Sequence, residues 1–290
     1  MVDSARTWPA LRIDLQDPLS DEERDRLLVD IDGAGVIGLE DDAGGVSLYF
    51  QDAAARDALL AALADTTWAA GGLSASDVPD DGWAARSQAD LPAVRVGALV
   101  ISPPWDVARV RADVASLPAD QQPDVIEIEP STGFGTGHHQ STRLCLQALQ
   151  RLDVRGLDVL DVGTGSGVLA IAAVRRGATR ALGIDPDQDA IDAAADSIRR
   201  NDVGSVVELR TTGLDDPALT PAPLVFANLT GTLLRREAAA IQRLITPGGR
   251  AILSGFTADE APWVAKAFTG CEVELRLEEE SWECFVMLNA

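Results

Sequence analysis

The stretch "LDVLDVGTGSGVLAIAAV", residues 157–174, constrains the fold more than any other part of this chain. An apolar run ends in three glycines, Gly163, Gly165 and Gly167, and a second apolar run with helical character follows. Glycine tolerates a positive φ and leaves the backbone bare, so a ligand can approach the turn closely. The spacing predicts a buried strand over 157–163 and a helix over 167–177, whose first N–H groups face the turn. The dinucleotide fingerprint G-x-G-x-x-G is not met, because Val168 occupies the position of its last glycine. No G-K-[ST] follows, so a triphosphate-binding loop is unsupported. The next strand, 180–185, ends in Asp185, 22 residues after Gly163. A carboxylate at a strand end there can accept hydrogen bonds from both hydroxyls of a ribose.

The elements around this turn alternate regularly. A helix is predicted over 141–152 and another over 188–201. Strands are predicted over 205–210 and 222–229, then a helix over 231–245, the strand "RAILSGF" and two closing strands within 272–288. Alternation of this kind implies a mainly parallel, doubly wound α/β sheet. With D-x-G-x-G-x-G opening at Asp161 and Asp185 closing the second strand, it is the pattern of a class I S-adenosylmethionine (AdoMet) methyltransferase. In that pattern Gly163, Thr164, Gly165 and Gly167 form the cofactor turn. Asp161 lies under the methionine part of AdoMet, and Asp185 holds the ribose. The competing reading is a structural turn, with Asp185 capping the helix that follows.

The first 78 residues read differently. "LRIDL" (11–15), "VIGLE" (36–40) and "VSLYF" (46–50) are strand-like, and a weaker strand lies near Leu73. Ser20 and Glu23 form a capping box for a helix over 20–32, and 52–65 is a second helix rich in alanine and leucine. The order β-α-β-β-α-β is that of a small ferredoxin-like α+β domain. It carries no catalytic constellation, so it is either a packing domain or a module that grips substrate. Residues 79–130 form a connecting segment. A Gly-, Ser-, Asp- and Pro-rich stretch over 71–92 marks the connection, and strands over 93–102 and 124–130 follow around a proline-bearing segment with Trp105. Residues 131–290 are then the catalytic domain.

Charge bears on partners. The chain has 290 residues, 46 acidic against 24 basic, for a net charge of −22. Such a surface repels phosphates, which disfavours direct nucleic-acid binding, and attracts a basic protein. No apolar run reaches the length of a membrane span, and no signal peptide is evident. Three cysteines without metal spacing read as reduced thiols in a cytoplasmic protein. Cys145 is expected in the core.

The segment "EPSTGFGTGHHQST", residues 129–142, holds three glycines and both histidines of the chain. It resembles the F-G-T-G-T-H-P-T-T motif of the ribosomal protein L11 methyltransferase family (PrmA). Phe134, Gly135, Thr136, Gly137, His139 and Thr142 match it, while His138, Gln140 and Ser141 replace Thr, Pro and Thr. "FANLTGTLL" resembles the family's A-N-I-L-A-G-P-L, with Asn228 at the asparagine. "PGGRAILSGF" and "ESWECFVM" resemble later motifs, and the likeness covers roughly 80–290.

The resemblance implies a Rossmann-like sheet, AdoMet as cofactor, and a first domain that binds the protein substrate. It implies that this opening loop folds over the cofactor, with Phe134 burying it and Thr136 and Gly137 in polar contact. It places Asn228 at the acceptor amine. Methyl transfer from a sulfonium needs an unprotonated amine, and lysine ordinarily titrates near 10.4. Orientation then carries much of the catalysis. Asn228 and the backbone carbonyl of Leu229 are the candidate acceptors of the amine hydrogens. His139 is read as a loop anchor or a proton acceptor, and His138 as exposed. Adjacent histidines without a Cys, Asp or Glu cluster do not make a metal site. Trp282 lines the acceptor cleft or packs the sheet, and 276–280 is a solvated edge strand. The expected activity is N-methylation of a lysine-rich, L11-like ribosomal protein. The alternatives are another protein or small-amine acceptor, and an AdoMet-binding interaction module without turnover.

Overall fold

The computed structural model describes residues 7–15, 19, 27, 31, 34–42, 44–50, 52–64, 66–79, 91–129 and 139–290. The chain divides into two compact units, Met1–Trp83 and Ala84–Ala290.

In the first unit four strands form an antiparallel sheet: β1 (Thr7–Asp14), β2 (Val36–Asp42), β3 (Gly45–Phe50) and β4 (Leu73–Pro79). Their order is β2-β3-β1-β4, the ferredoxin-like arrangement. Helix α1 (Ala53–Leu63) begins where the Asp52 side chain accepts from the N–H of Ala55, and it buries Leu59 and Leu63. Leu11, Ile13, Val46, Leu48, Phe50 and Trp68 complete this core. Most of the helix expected over 20–32, including Ser20 and Glu23, lies outside the described residues. Leu27 and Ile31 within it are buried in the same core.

The second unit is built on seven strands: β8 (Asp158–Val162), β9 (Arg180–Asp185), β10 (Val207–Thr211), β11 (Ala222–Asn228), β12 (Ile245–Thr257), β13 (Cys271–Glu279) and β14 (Trp282–Asn289). The order is β10-β9-β8-β11-β12-β14-β13. The first five run parallel, and β14 enters antiparallel between β12 and β13. This is the class I methyltransferase sheet. From β8 the chain winds outward to β10, then crosses to β11 on the other side of β8, which creates a switch point between β8 and β11. Ligands in such sheets bind at that point, beyond the strand carboxyl ends.

Side chains alternate along each strand and feed two cores, one on each face. Val159, Leu224 and Phe226 pack under α3 (Gln140–Leu149), α4 (Val168–Arg175) and α5 (Gln188–Arg200). Leu160, Val225 and Ala227 pack under α6 (Gly231–Gln242) and α7 (Ala261–Ala267).

The expected 93–102 strand is a hairpin. Gly97, with φ +58°, turns β5 (Val94–Val96) back into β6 (Leu99–Ser102), and Gln150 bonds Ala98 N–H and the Val96 carbonyl across it. Helix α2 (Val107–Ala115) then crosses to β7 (Asp124–Glu127), parallel to β6. Asn201, buried at the end of α5, takes the Glu127 N–H at 2.9 Å and donates to the Glu127 carbonyl at 2.7 Å. It thereby locks this three-stranded sheet to the seven-stranded one. No helix among the described residues is long and apolar enough to cross a membrane.

Candidate functional site

The glycine turn forms as its spacing requires. Gly163, Gly165 and Gly167 take φ of +67°, +51° and +78°. At Gly163 a Cβ would lie 2.5 Å from Cδ2 of Leu229, so the side chain of the neighbouring strand end rests on the bare backbone of the turn. Behind the turn, Asp161 is buried. Its Oδ2 accepts from Thr164 Oγ1 at 2.7 Å and from the N–H of Ala170 at 3.2 Å. Burial pushes its carboxyl up to about 6, with a smaller push from Asp185, and the two hydrogen bonds oppose the rise. Thr164 thus buttresses the turn from inside rather than presenting its hydroxyl outward.

Asp185 closes β9 beside the turn. Its Oδ2 accepts from Gly165 N–H at 3.1 Å and its Oδ1 from Asp187 N–H at 3.0 Å. Each carboxylate oxygen accepts up to two hydrogen bonds, so one acceptor site remains on each. That is the requirement for holding two adjacent hydroxyls. The helix cap expected in the structural reading is supplied by Asp187, whose side chain accepts from Asp189 N–H. A crevice of about 290 Å³ runs beside this point, lined by Gly163, Ile184, Pro186, Thr212, Gly213 and Leu229 among others. Thr212–Leu214, the loop after β10, did not stand out in the sequence. Its signal is only a glycine placed just after the third strand.

Across the switch point, Asn228 ends β11. Its Nδ2 donates to Thr142 Oγ1 at 3.3 Å, which ties it to the first turn of α3. The next residue, Leu229, bonds through its N–H to the Ser254 carbonyl at 3.0 Å. Its own carbonyl oxygen lies 2.4 Å from where Gly255 would carry a Cβ. Gly255 has φ +91°, so both its conformation and its missing side chain are needed there.

His139 caps α3. Its Nδ1 accepts from Ser141 N–H at 3.3 Å and lies 2.7 Å from Ser141 Oγ. Burial, then the nearby Arg143 cation, lower its pKa below the ordinary histidine value. With Nδ1 accepting from the Ser141 N–H, a neutral ring carries its proton on Nε2, and the nitrogen with a lone pair is already engaged in the cap. Its edge meets the Trp282 ring, 4.5 Å between centroids at 75°. Trp282 thus packs against the start of α3. The edge strand β13 carries exposed glutamates as expected, yet its end is tied inward by Arg143, which donates to Glu279 Oε1 from Nε at 2.8 Å. Phe134, Thr136, Gly137 and His138 lie outside the described residues. Cys145 is fully buried against Cys284, and burial raises its thiol pKa, which removes it as a nucleophile.

The model of the ribosomal protein L11 methyltransferase family (PrmA) matches residues 13–289. A ribosomal protein L11 methyltransferase of Deinococcus radiodurans is 35% identical over 257 residues, covering 85% of this chain and 86% of that relative. One from Geobacter metallireducens is 39% identical over 212 residues, covering 71% of this chain and 66% of that relative. The crystal structure of a ribosomal protein L11 methylase from Lactobacillus delbrueckii subsp. bulgaricus superposes with a TM-score of 0.60 at 26% identity, covering 68% of this chain and 98% of that one.

Proposed function

The chain belongs to the ribosomal protein L11 methyltransferase family, and we propose that it is an AdoMet-dependent N-methyltransferase acting on amines of an L11-like ribosomal protein. The observation that carries the reading is the pairing, at one switch point, of a diol-receiving carboxylate with a strand-end asparagine. Asp185 keeps one acceptor site on each oxygen for the ribose. Three glycines keep the turn bare for the rest of the nucleoside. Buried Asp161 supplies a negative charge suited to a cationic methionine group. These residues fit AdoMet, which supplies a methyl carbon made electrophilic by its sulfonium.

The remaining work falls to the protein. The acceptor amine must lose a proton, because an ammonium has no lone pair to offer. Proximity of a positive charge and exclusion of water both lower its pKa. Because Nδ2 of Asn228 is engaged by Thr142, the amide is oriented with Oδ1 as the acceptor for an amine hydrogen. The Leu229 carbonyl, uncovered by the missing side chain at Gly255, is a second acceptor. Two acceptors aim the lone pair, and water takes the departing proton. His139 anchors the helix that holds Thr142 in place.

The net charge of −22 suits a lysine-rich ribosomal protein, encountered in the cytoplasm where ribosomes work, with the first unit as the gripping module. The test is mass spectrometry of L11-like protein incubated with enzyme and AdoMet, which should gain 14-dalton steps (roughly, one CH₂ per transfer) at lysine or at the α-amine. Asn228→Ala should bind AdoMet as wild type does and turn over at least about 100-fold more slowly. AdoMet binding without methylation of the ribosomal protein would overturn the substrate assignment. An equal loss of binding and turnover in Asn228→Ala would overturn its role.

A further inference from the structure

The turn between β13 and β14 contains a residue whose backbone and side chain pull in opposite directions. Glu280 has φ +55°, a left-handed conformation that glycine or asparagine adopts readily and a longer side chain rarely does. The two-residue link it starts would ordinarily carry glycine there. Its carboxylate, however, accepts from Gln140 Nε2 at 2.7 Å, across 140 positions of sequence. Gln140 is the first residue of α3, next to His139 and two before Thr142. The hairpin and the helix start meet at two further points: Arg143 with Glu279, and the His139 ring with Trp282. The Ser281 carbonyl, in the same turn, accepts from Ala258 N–H at 2.9 Å, so the turn is fastened to the strand beyond Gly255 as well.

We propose that Glu280 is a positioning residue for methyl transfer: its strained turn conformation is retained because its carboxylate holds Gln140, and through the first turn of α3 and Thr142 it sets the orientation of Asn228. The assignment rests on the functional reading above. Gln140 stands where the family motif carries a proline, which presets the first helical residue through its fixed φ. An amide bonded to the hairpin performs the same service here by a side-chain tether. A strained position that is occupied by a residue with a specific long-range partner is a signature of function rather than of stability.

The two roles separate in one variant. Glu280→Gly relieves the backbone and cuts the tether. The expected result is a Tm equal to or above wild type, unchanged AdoMet Kd, and a kcat on the protein substrate lowered about fivefold, the factor one hydrogen bond is worth. Gln140→Ala should give the same fall in kcat, and the double variant no further fall. Glu280→Gln, whose amide oxygen can still accept from Gln140, should restore most of it. A second readout does not depend on turnover. The His139 imidazole signal in NMR, assigned with His138→Gln, should titrate at higher pH in Gln140→Ala, which loosens the helix start and exposes the ring without removing a charge. An unaltered His139 titration would overturn the tether whether or not the enzyme methylates the ribosomal protein. An unaltered kcat in Glu280→Gly, in an enzyme whose wild type turns over, would overturn the positioning role, as would a kcat that falls only together with Tm.

Discussion

The proposed placement of AdoMet beside Asp161 predicts binding that depends on pH in a range where few other groups titrate. An ordinary aspartate titrates near 3.8, and burial holds this one up to about 6. The sign for the free enzyme follows. The folded state binds a proton more tightly than the unfolded state, so above pH 6 the buried charge costs about 3 kcal/mol, at 1.36 kcal/mol per pH unit. That cost fades as pH falls from 6 toward 3.8. A bound cofactor carrying sulfonium and ammonium charges favours the ionised carboxylate and brings its pKa back toward the ordinary value. Binding below pH 6 then requires the enzyme to release the proton first. At pH 5 the protonated form outnumbers the ionised form about tenfold, and at pH 7 the ratio is reversed. The Kd of AdoMet should therefore rise about tenfold between pH 7 and pH 5. Calorimetric titration at constant ionic strength measures it, and titrations in buffers of different ionisation enthalpy should count close to one proton released at pH 5. Asp161→Asn keeps the shape and an acceptor for Thr164 but cannot titrate, so its Kd should be nearly flat over the range. A flat wild-type profile, or an equally steep one in the asparagine variant, would refute the placement of a cationic ligand beside this carboxyl.

Asp185→Ala removes both proposed ribose acceptors and should weaken AdoMet by about 2–3 kcal/mol, or roughly 30- to 150-fold, in the same calorimetric assay. Unchanged affinity would mean that the carboxylate serves only the two backbone N–H groups it accepts from. Asn201→Ala leaves the Glu127 N–H and carbonyl unpaired in a buried place and should lower unfolding free energy by about 2–4 kcal/mol in urea. A loss below about 1 kcal/mol would show that water replaces the side chain there. Removing residues 1–83 leaves both cores of the larger unit intact, since among the described residues those cores are built from 94 onward. The remainder should keep AdoMet affinity within about twofold and lose at least about tenfold in kcat/KM on the protein substrate. Equal methylation by the shortened chain would assign substrate recognition elsewhere.

The catalytic half was legible in the sequence because its signals are local. A buried strand, a glycine turn and a helix fall within 18 consecutive residues, and Asp185 follows one strand later. Elements without a clean period were missed. Helix α2, "VARVRADVA", mixes charge into a short apolar pattern between prolines, and α7 carries Pro262 in its first turn. The 93–102 stretch reads as one strand because its side chains remain apolar through the bend at Gly97. Strand β12 begins five residues before "RAILSGF", running through a Pro-Gly-Gly sequence that local rules assign to a turn. In the candidate site, a motif singles out Asn228, but its bond to Thr142 spans 86 positions and that of Gln140 to Glu280 spans 140. Pairings at such distances leave no periodic trace. They arise when the sheet order brings the end of β11 and the β13–β14 hairpin beside the helix that precedes β8.

Leu229 occupies the space left by two missing side chains. Its methyl groups lie on Gly163 and its carbonyl on Gly255, residues 66 and 26 positions away on either side. The two contacts differ in kind. A side chain at 163 would meet a leucine methyl, which a smaller residue at 229 withdraws. A side chain at 255 would meet the main-chain oxygen, carbon and nitrogen of 229, which no choice of residue at 229 removes. A combinatorial library over the three positions should therefore recover compensated pairs at 163 and 229 but only glycine at 255.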